Sequence, residues 1–281
     1  GIVLTHKPQV ISYGTIGLEL SKIPIGIIFV VAMQWGIVGA LLTTIFASFI
    51  RLVILFVSIK PLITDKVQTN VIKYWLRMSW LLLYRTSAGL VHKLDIMTFS
   101  LFVQSFVGLG YWQAALTTSS VVGMSSSISQ ALYPKLLVDE RNAIAVENLK
   151  RTLYFAIPMV AVSILFAKPI LYILNPLYVD ASLAVVFLSL NSLVGVLTTI
   201  FFSILGAYDK VDVDKTTSFK LYLKSKLFLV PTLNHIMSAL YVGSLIVFLL
   251  FFRTPDMDDI DLITIWSIIL LATHFPFLLY S

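Results

Sequence analysis

Of the 281 residues 58% are apolar and only 12% charged, the net charge is +6, and there is no cysteine. Soluble domains carry roughly 45–50% apolar and about 25% charged residues, so this chain has too little polar surface to cover a globule in water; a bilayer is the solvent that suits it. The lack of cysteine excludes a disulfide framework and a thiolate metal site, and no basic patch interleaved with aromatics supports nucleic-acid binding.

Backbone groups facing lipid have to be satisfied within their own segment, so the apolar runs are predicted as helices. The first covers about Ile11 to Val31 and carries Pro24. After Gln34-Trp35-Gly36 a second runs to about Ser58, followed by a basic stretch with Lys60, Pro61, Lys66 and Lys73. The third, about Tyr74 to Phe102, is interrupted by Arg77, Arg85, His92, Lys93 and Asp95. The uncharged link Gly108-Leu109-Gly110 leads to a fourth helix, about Trp112 to Leu132, which stops at Pro134. A polar link from Lys135 to Arg151 precedes a fifth helix that reaches about Leu174, ended by Asn175-Pro176, and a sixth runs from about Ala181 to Ala207.

The polar stretch Tyr208 to Lys226 comes next. From Leu227 to Phe252 the chain is apolar and broken at Pro231, which allows either one kinked span or a short helix plus a full one. The acidic link Arg253 to Asp261 precedes a last span, Leu262 to Tyr280. The expected fold is therefore all-α: a polytopic transmembrane helix bundle of about eight spans. The start at Gly1, without an initiator Met or signal peptide, and the end at Ser281 straight after an apolar run read as a fragment of a longer polytopic protein.

Orientation follows from charge. Alternate links hold Lys60, Lys66, Lys73 and Arg77, then Lys135, Arg141, Lys150 and Arg151, then Lys210, Lys215, Lys220, Lys224 and Lys226. The links between them, around Trp35, Gly110 and Tyr178, hold no Lys or Arg; thirteen against none is a strong positive-inside pattern. It requires the third segment to cross despite its charges. If the Pro231 region is a hairpin, the acidic link is cytoplasmic as well.

Arg85, His92, Lys93 and Asp95 lie inside that third segment. At 100° per residue Arg85 and His92 fall within about 20° of each other, with Asp95 one turn beyond His92. A Lys or Arg near mid-bilayer costs roughly 2.5–3.5 kcal/mol on insertion scales and normally faces a protein interior or a water-filled cavity. Two assignments stand: a cationic cavity lining that meets an anionic substrate group, or side chains that snorkel at the outer boundary while Asp95 neutralises a neighbour.

On the fourth helix Ala115, Ser119, Gly123, Ser127 and Ala131 place a small residue at every fourth position, the pattern that lets helices approach closely in lipid. Ser120, Ser125, Ser126 and Ser129 leave much of the remaining surface polar, and that face could line a wet cavity. Pro24, Pro158 and Pro231 each remove an intrahelical hydrogen bond and permit a bend. The acidic residues Asp256, Asp258, Asp259 and Asp261 lack EF-hand spacing and read as a solvated loop. No phosphate-binding Gly-rich loop, HExxH or nucleophile elbow is present. The expectation is no enzyme, no cofactor and no metal.

The stretch LDIMTFSLFVQSFVGLGYWQAALTTSSVVGMSSSISQALYPKLL, Leu94 to Leu137, resembles the start of the C-terminal lobe in polysaccharide flippases of the multidrug/oligosaccharidyl-lipid/polysaccharide exporter superfamily. The shared features are a membrane Asp (Asp95), the turn Gly110-Tyr111, and a helix ending at Pro134-Lys135-Leu136. KPILYILNPLYVDASLAVVFLSL, Lys168 to Leu190, is similar to the family's loop and next helix, as is Gly206 to Asp209 with its lysine-rich link. The likeness covers roughly Gly14 to Phe252. It implies that residues 1–73 are the last helices of an N-terminal lobe with a basic cytoplasmic link, and 74–281 the helices of a C-terminal lobe, most of the N-terminal lobe being absent. It further implies flipping of an undecaprenyl- or dolichyl-linked oligosaccharide by alternating access in a cell membrane, prokaryotic in the first instance. Partners would be membrane lipid, the lipid-linked glycan and other glycan-assembly membrane proteins. Arg85, then Lys93 and His92, would meet the lipid pyrophosphate, with Asp95 orienting or neutralising them. A multidrug or other amphiphile exporter, and a membrane-embedded enzyme of lipid-linked sugar assembly, are the alternatives.

Overall fold

The computed structural model describes residues 8–60, 76, 79, 83–84, 86–127, 142–207 and 226–280, and every regular element among them is helical. The chain divides into two compact units, 1–74 and 75–281. In the first, α1 (Pro8–Gly26) passes into a π-helical turn (Ile27–Ala32) and then, after a reversal, α2 (Gly36–Ile59). Pro24 supplies no N–H for the carbonyl of Leu20, and the wider i→i+5 pattern follows, with Met33 N donating to Ile28 O at 2.9 Å. Gln34 and Gly36, at φ 55° and 53°, turn the chain back. The two helices run antiparallel: Gly14 and Gly17 meet Leu55 and Ile54 near one end, and Gly39 meets Phe29 near the other. A Cβ on Gly39 would stand 2.7 Å from the Phe29 carbonyl oxygen, so this close approach requires glycine.

The second unit contains a helical stretch 86–92, α3 (Leu94–Val103), α4 (Phe106–Gly123), α5 (Asn142–Leu165), α6 (Ala167–Leu174), a 3₁₀ turn (Pro176–Ala181), α7 (Ser182–Ala207), α8 (Lys226–Val247) with a π-helical extension (Phe248–Phe252), and α9 (Asp259–Tyr280). α7 lies centrally and packs on α4, α5 and α9. The main core gathers Phe99, Trp112, Leu188, Tyr241, Leu245 and Trp266; a smaller cluster joins Ala156, Val196 and Ile200.

Three connections meet at one end of this unit. Ser105 Oγ donates to Asp259 Oδ2 at 2.6 Å, Arg253 Nη1 donates to the Phe102 carbonyl at 2.6 Å, and the rings of Tyr111 and Tyr178 touch edge-on at 5.7 Å. Consequently α3, α5 and α8 run towards that end and α4, α7 and α9 away from it.

Several boundaries differ from the sequence-based expectation. α4 begins at Phe106, so the expected link Gly108-Leu109-Gly110 lies inside the helix. Ser105, in extended conformation, caps it by accepting from Gly108 N at 3.0 Å. The fifth segment starts at Asn142 and bends by 64° between α5 and α6. Pro169, in the first turn of α6, has no N–H to offer the Leu165 carbonyl, and the helix breaks there. Pro231 breaks nothing: α8 runs continuously from Lys226 and carries the acidic link to the end opposite its start.

Among the described residues four helices are long and apolar enough to cross a membrane, Val38–Ser58, Pro176–Phe202, Phe228–Phe252 and Asp259–Pro276, and five if the bent pair counts as one span. The count expected from the sequence was about eight. α1 carries the ion pair Glu19–Lys22 (2.9 Å) in its span, α4 is rich in Ser and Thr, and the third segment is described continuously only from Thr86.

Candidate functional site: a buried ionisable cluster

The first turn of α3 places Asp95 against α8, only 5% exposed. Its Oδ1 accepts from the Ile96 N–H at 2.7 Å and its Oδ2 from the Tyr241 hydroxyl at 2.8 Å. The Tyr241 oxygen in turn accepts from Trp266 Nε1 at 2.5 Å. One hydrogen-bonded chain therefore crosses α9, α8 and α3. Aromatic packing fixes it: Phe99 and Trp112 both stack on Trp266, with centroids at 4.6 and 3.8 Å.

His92, one turn before Asp95, stacks on the Tyr241 ring at 4.9 Å, and the His274 ring lies 5.6 Å from His92. The buried atoms His274 Nε2 and Trp112 Nε1 have no hydrogen-bond partner. Leaving such a group unsatisfied costs about 1–3 kcal/mol, so this corner holds more polar capacity than its own side chains use. A carboxyl group and two imidazoles side by side can keep, exchange or release a proton. No group of three or more His, Asp or Glu able to hold a metal ion occurs among the described residues.

A second polar contact set joins α8 to residues that precede α3. Tyr84 Oη and Thr232 Oγ1 are 2.9 Å apart, and Ser87 Oγ and His235 Nε2 are 2.8 Å apart. The sequence separations of these contacts and of Asp95–Tyr241 are 148, 148 and 146, so residues 86–95 and 232–241 ascend side by side in the same direction.

The residues singled out from the sequence are placed as follows. Asp95 is buried and His92 half-buried, and the two face the same tyrosine. Lys93 is exposed, in the turn that opens α3. Arg85 lies outside the described residues. Ala115 and Ser119 are buried in the bundle, Gly123 is half-buried with open space where a Cβ would stand, and Ser127 is exposed; Ala131 lies outside the described residues. An every-fourth line winds about 40° around a helix at each step, and the buried line instead follows Trp112, Ala115, Ser119 and Val122.

Tyr241, Trp266, His235 and His274 escaped sequence reasoning. The available signal was a histidine inside an apolar run, which marks a functional hypothesis in a membrane segment. A groove of about 510 Å³ between α8 and α9, lined by Gly243, Ser244, Val247, Phe248 and Ile269 among others, carries no ionisable side chain and includes none of the sequence-singled residues.

Helices of this length and composition define the class, an α-helical membrane protein. Comparison with known protein families, with characterised proteins and with solved structures finds no match for the chain.

Proposed function

We propose that the chain is a membrane transporter, with about eight spans, that moves a lipid-linked oligosaccharide across a cell membrane by alternating access. The observation that carries the transport assignment is Asp95, buried among helices of a membrane bundle and bonded to Tyr241, on whose ring His92 stacks, with His274 beside His92. Ionisable groups inside membrane segments are expensive and mark substrate or ion pathways. The substrate class is supported by the resemblance of Leu94–Leu137 and Lys168–Leu190 to polysaccharide flippases. In this assignment the cations of the third segment, Arg85 first, meet the lipid pyrophosphate, and Asp95 governs the charge around them.

The test is Asp95→Asn in the full-length protein, in cells that depend on it for surface glycan. Asparagine still accepts from Tyr241 but cannot ionise. Loss of surface glycan with lipid-linked precursor accumulating, at unchanged protein level, is expected. Normal export by the variant overturns the role of Asp95. Loss of drug or amphiphile resistance with glycan intact would move the assignment to another exporter.

A further inference from the structure

We propose that His235 is a reversible proton-binding site, built into the seam between α8 and the helical stretch 86–92, with Tyr84 against it. Its Nδ1 lies 2.8 Å from the Pro231 carbonyl, which can only accept, so Nδ1 carries a hydrogen. Its Nε2 lies 2.8 Å from Ser87 Oγ, and that same oxygen lies 2.8 Å from the Tyr84 carbonyl. A hydroxyl both donates and accepts, and this gives the site two complete arrangements. With a neutral ring, the Ser87 hydroxyl donates to Nε2. With a protonated ring, Nε2–H donates to Ser87 Oγ, and the serine hydrogen turns to the Tyr84 carbonyl. Neither state leaves a donor or acceptor of the imidazole unpaired.

A histidine held only for structure needs one of these arrangements. Here the second is provided, and an aromatic face supports the charge it creates. The Tyr84 ring is stacked on His235 at 4.5 Å and 11°, itself backed by Phe228 at 5.1 Å, and its hydroxyl is anchored by Thr232. An imidazolium on a tyrosine face gains cation–π attraction. His235 is half-buried, so a proton has a way in. Tyr84 is the titratable group in contact with it. The other titratable or charged groups on the two elements are His92, Lys93 and Asp95 on one side, and Lys226 and Tyr241 on the other; His274 of α9 stands beside His92. Arg85 lies outside the described residues.

Nitrogen NMR of ¹⁵N-histidine-labelled full chain in detergent micelles, from about pH 5 to 8, reads this directly. The chain has four histidines, and His235→Gln assigns the signal; should that variant not fold, His6→Gln, His92→Gln and His274→Gln assign it by subtraction. The expected result is a neutral form protonated at Nδ1 that converts reversibly to imidazolium with helix content unchanged, and a midpoint displaced in Ser87→Ala. A His235 signal fixed in one state across the range, a neutral form protonated at Nε2, or an unmoved midpoint in Ser87→Ala each overturns the proposal.

Discussion

Asp95 on α3 and Tyr241 on α8 are joined by a 2.8 Å hydrogen bond between two helices that run in the same direction. Parallel neighbours cannot be joined by a short loop, so this contact is made by segments 146 residues apart in sequence. The bond is one step of the chain from Trp266 to Asp95, and it fixes where the carboxyl group stands. Tyr241→Phe removes the donor to Asp95 and the acceptor for Trp266 Nε1 together. A loss of about 1–3 kcal/mol is expected, because buried polar groups are left without partners. Thermal unfolding of the purified protein in detergent measures it. A double-mutant cycle with Asp95→Ala should show the two losses to be non-additive; strict additivity would mean that the bond contributes nothing.

The small residues of α4 divide by position. Ser119, 1% exposed, sits in the bundle, whereas Gly123 faces open space. Ser119→Leu should destabilise by about 1–3 kcal/mol through overpacking. Gly123→Ala should be neutral or stabilise by up to about 1 kcal/mol, as alanine favours helix. Folded yield and melting temperature of the two variants decide the matter, and a reversed order would place α4 the other way round.

The helical class was legible in the sequence because the bilayer forces apolar runs into helices, and the parallel course of 86–95 and 232–241 agrees with the charge pattern that sends both segments away from basic links. Element ends were less legible. The helix start at Ser105 depended on one hydroxyl cap against two glycines that read as a loop, and the break at Phe166 on Pro169, four residues after the last residue of α5. The cluster was half legible. Asp95 and His92 stood out as charge in an apolar run, but their partners Tyr241 and Trp266 are ordinary core aromatics in composition. Only packing across about 150 residues of sequence brings them together, and no local pattern encodes that.

The three connections that meet at one end of the second unit make a sharp test of sidedness. Lys and Arg of the lysine-rich links belong in the cytoplasm, so the end holding Leu177 and Thr254 should lie outside. Both residues are exposed, and the chain has no cysteine to interfere. Leu177→Cys and Thr254→Cys should react with a membrane-impermeant maleimide added to intact cells. Lys215→Cys should react only after the membrane is opened. Labelling of Thr254→Cys solely from the cytoplasmic side would overturn the shared end, since Arg253 and Asp259 tie that link to Phe102 and Ser105.

The last prediction concerns Arg85 and the phosphate that the proposed substrate carries. The charge asymmetry of the links predicts that the third segment crosses, and Arg85 lies eleven residues beyond its expected start at Tyr74. A fixed charge at such a position costs about 3 kcal/mol on insertion scales unless protein or water receives it. A guanidinium can hold a phosphate through two parallel hydrogen bonds, whereas an ammonium offers a point charge. Arg85→Lys should therefore reduce surface-glycan export in part, by about tenfold if one bidentate contact worth roughly 1.4 kcal/mol is lost, and Arg85→Ala should reduce it much further. Both variants should insert and accumulate like the parent, measured by quantitative blotting of membranes. Equal impairment by Lys and Ala would point to geometry peculiar to arginine rather than to charge. Full export by Arg85→Ala at normal protein level would remove Arg85 from the substrate path and leave the buried cluster around Asp95 as the functional centre of the bundle.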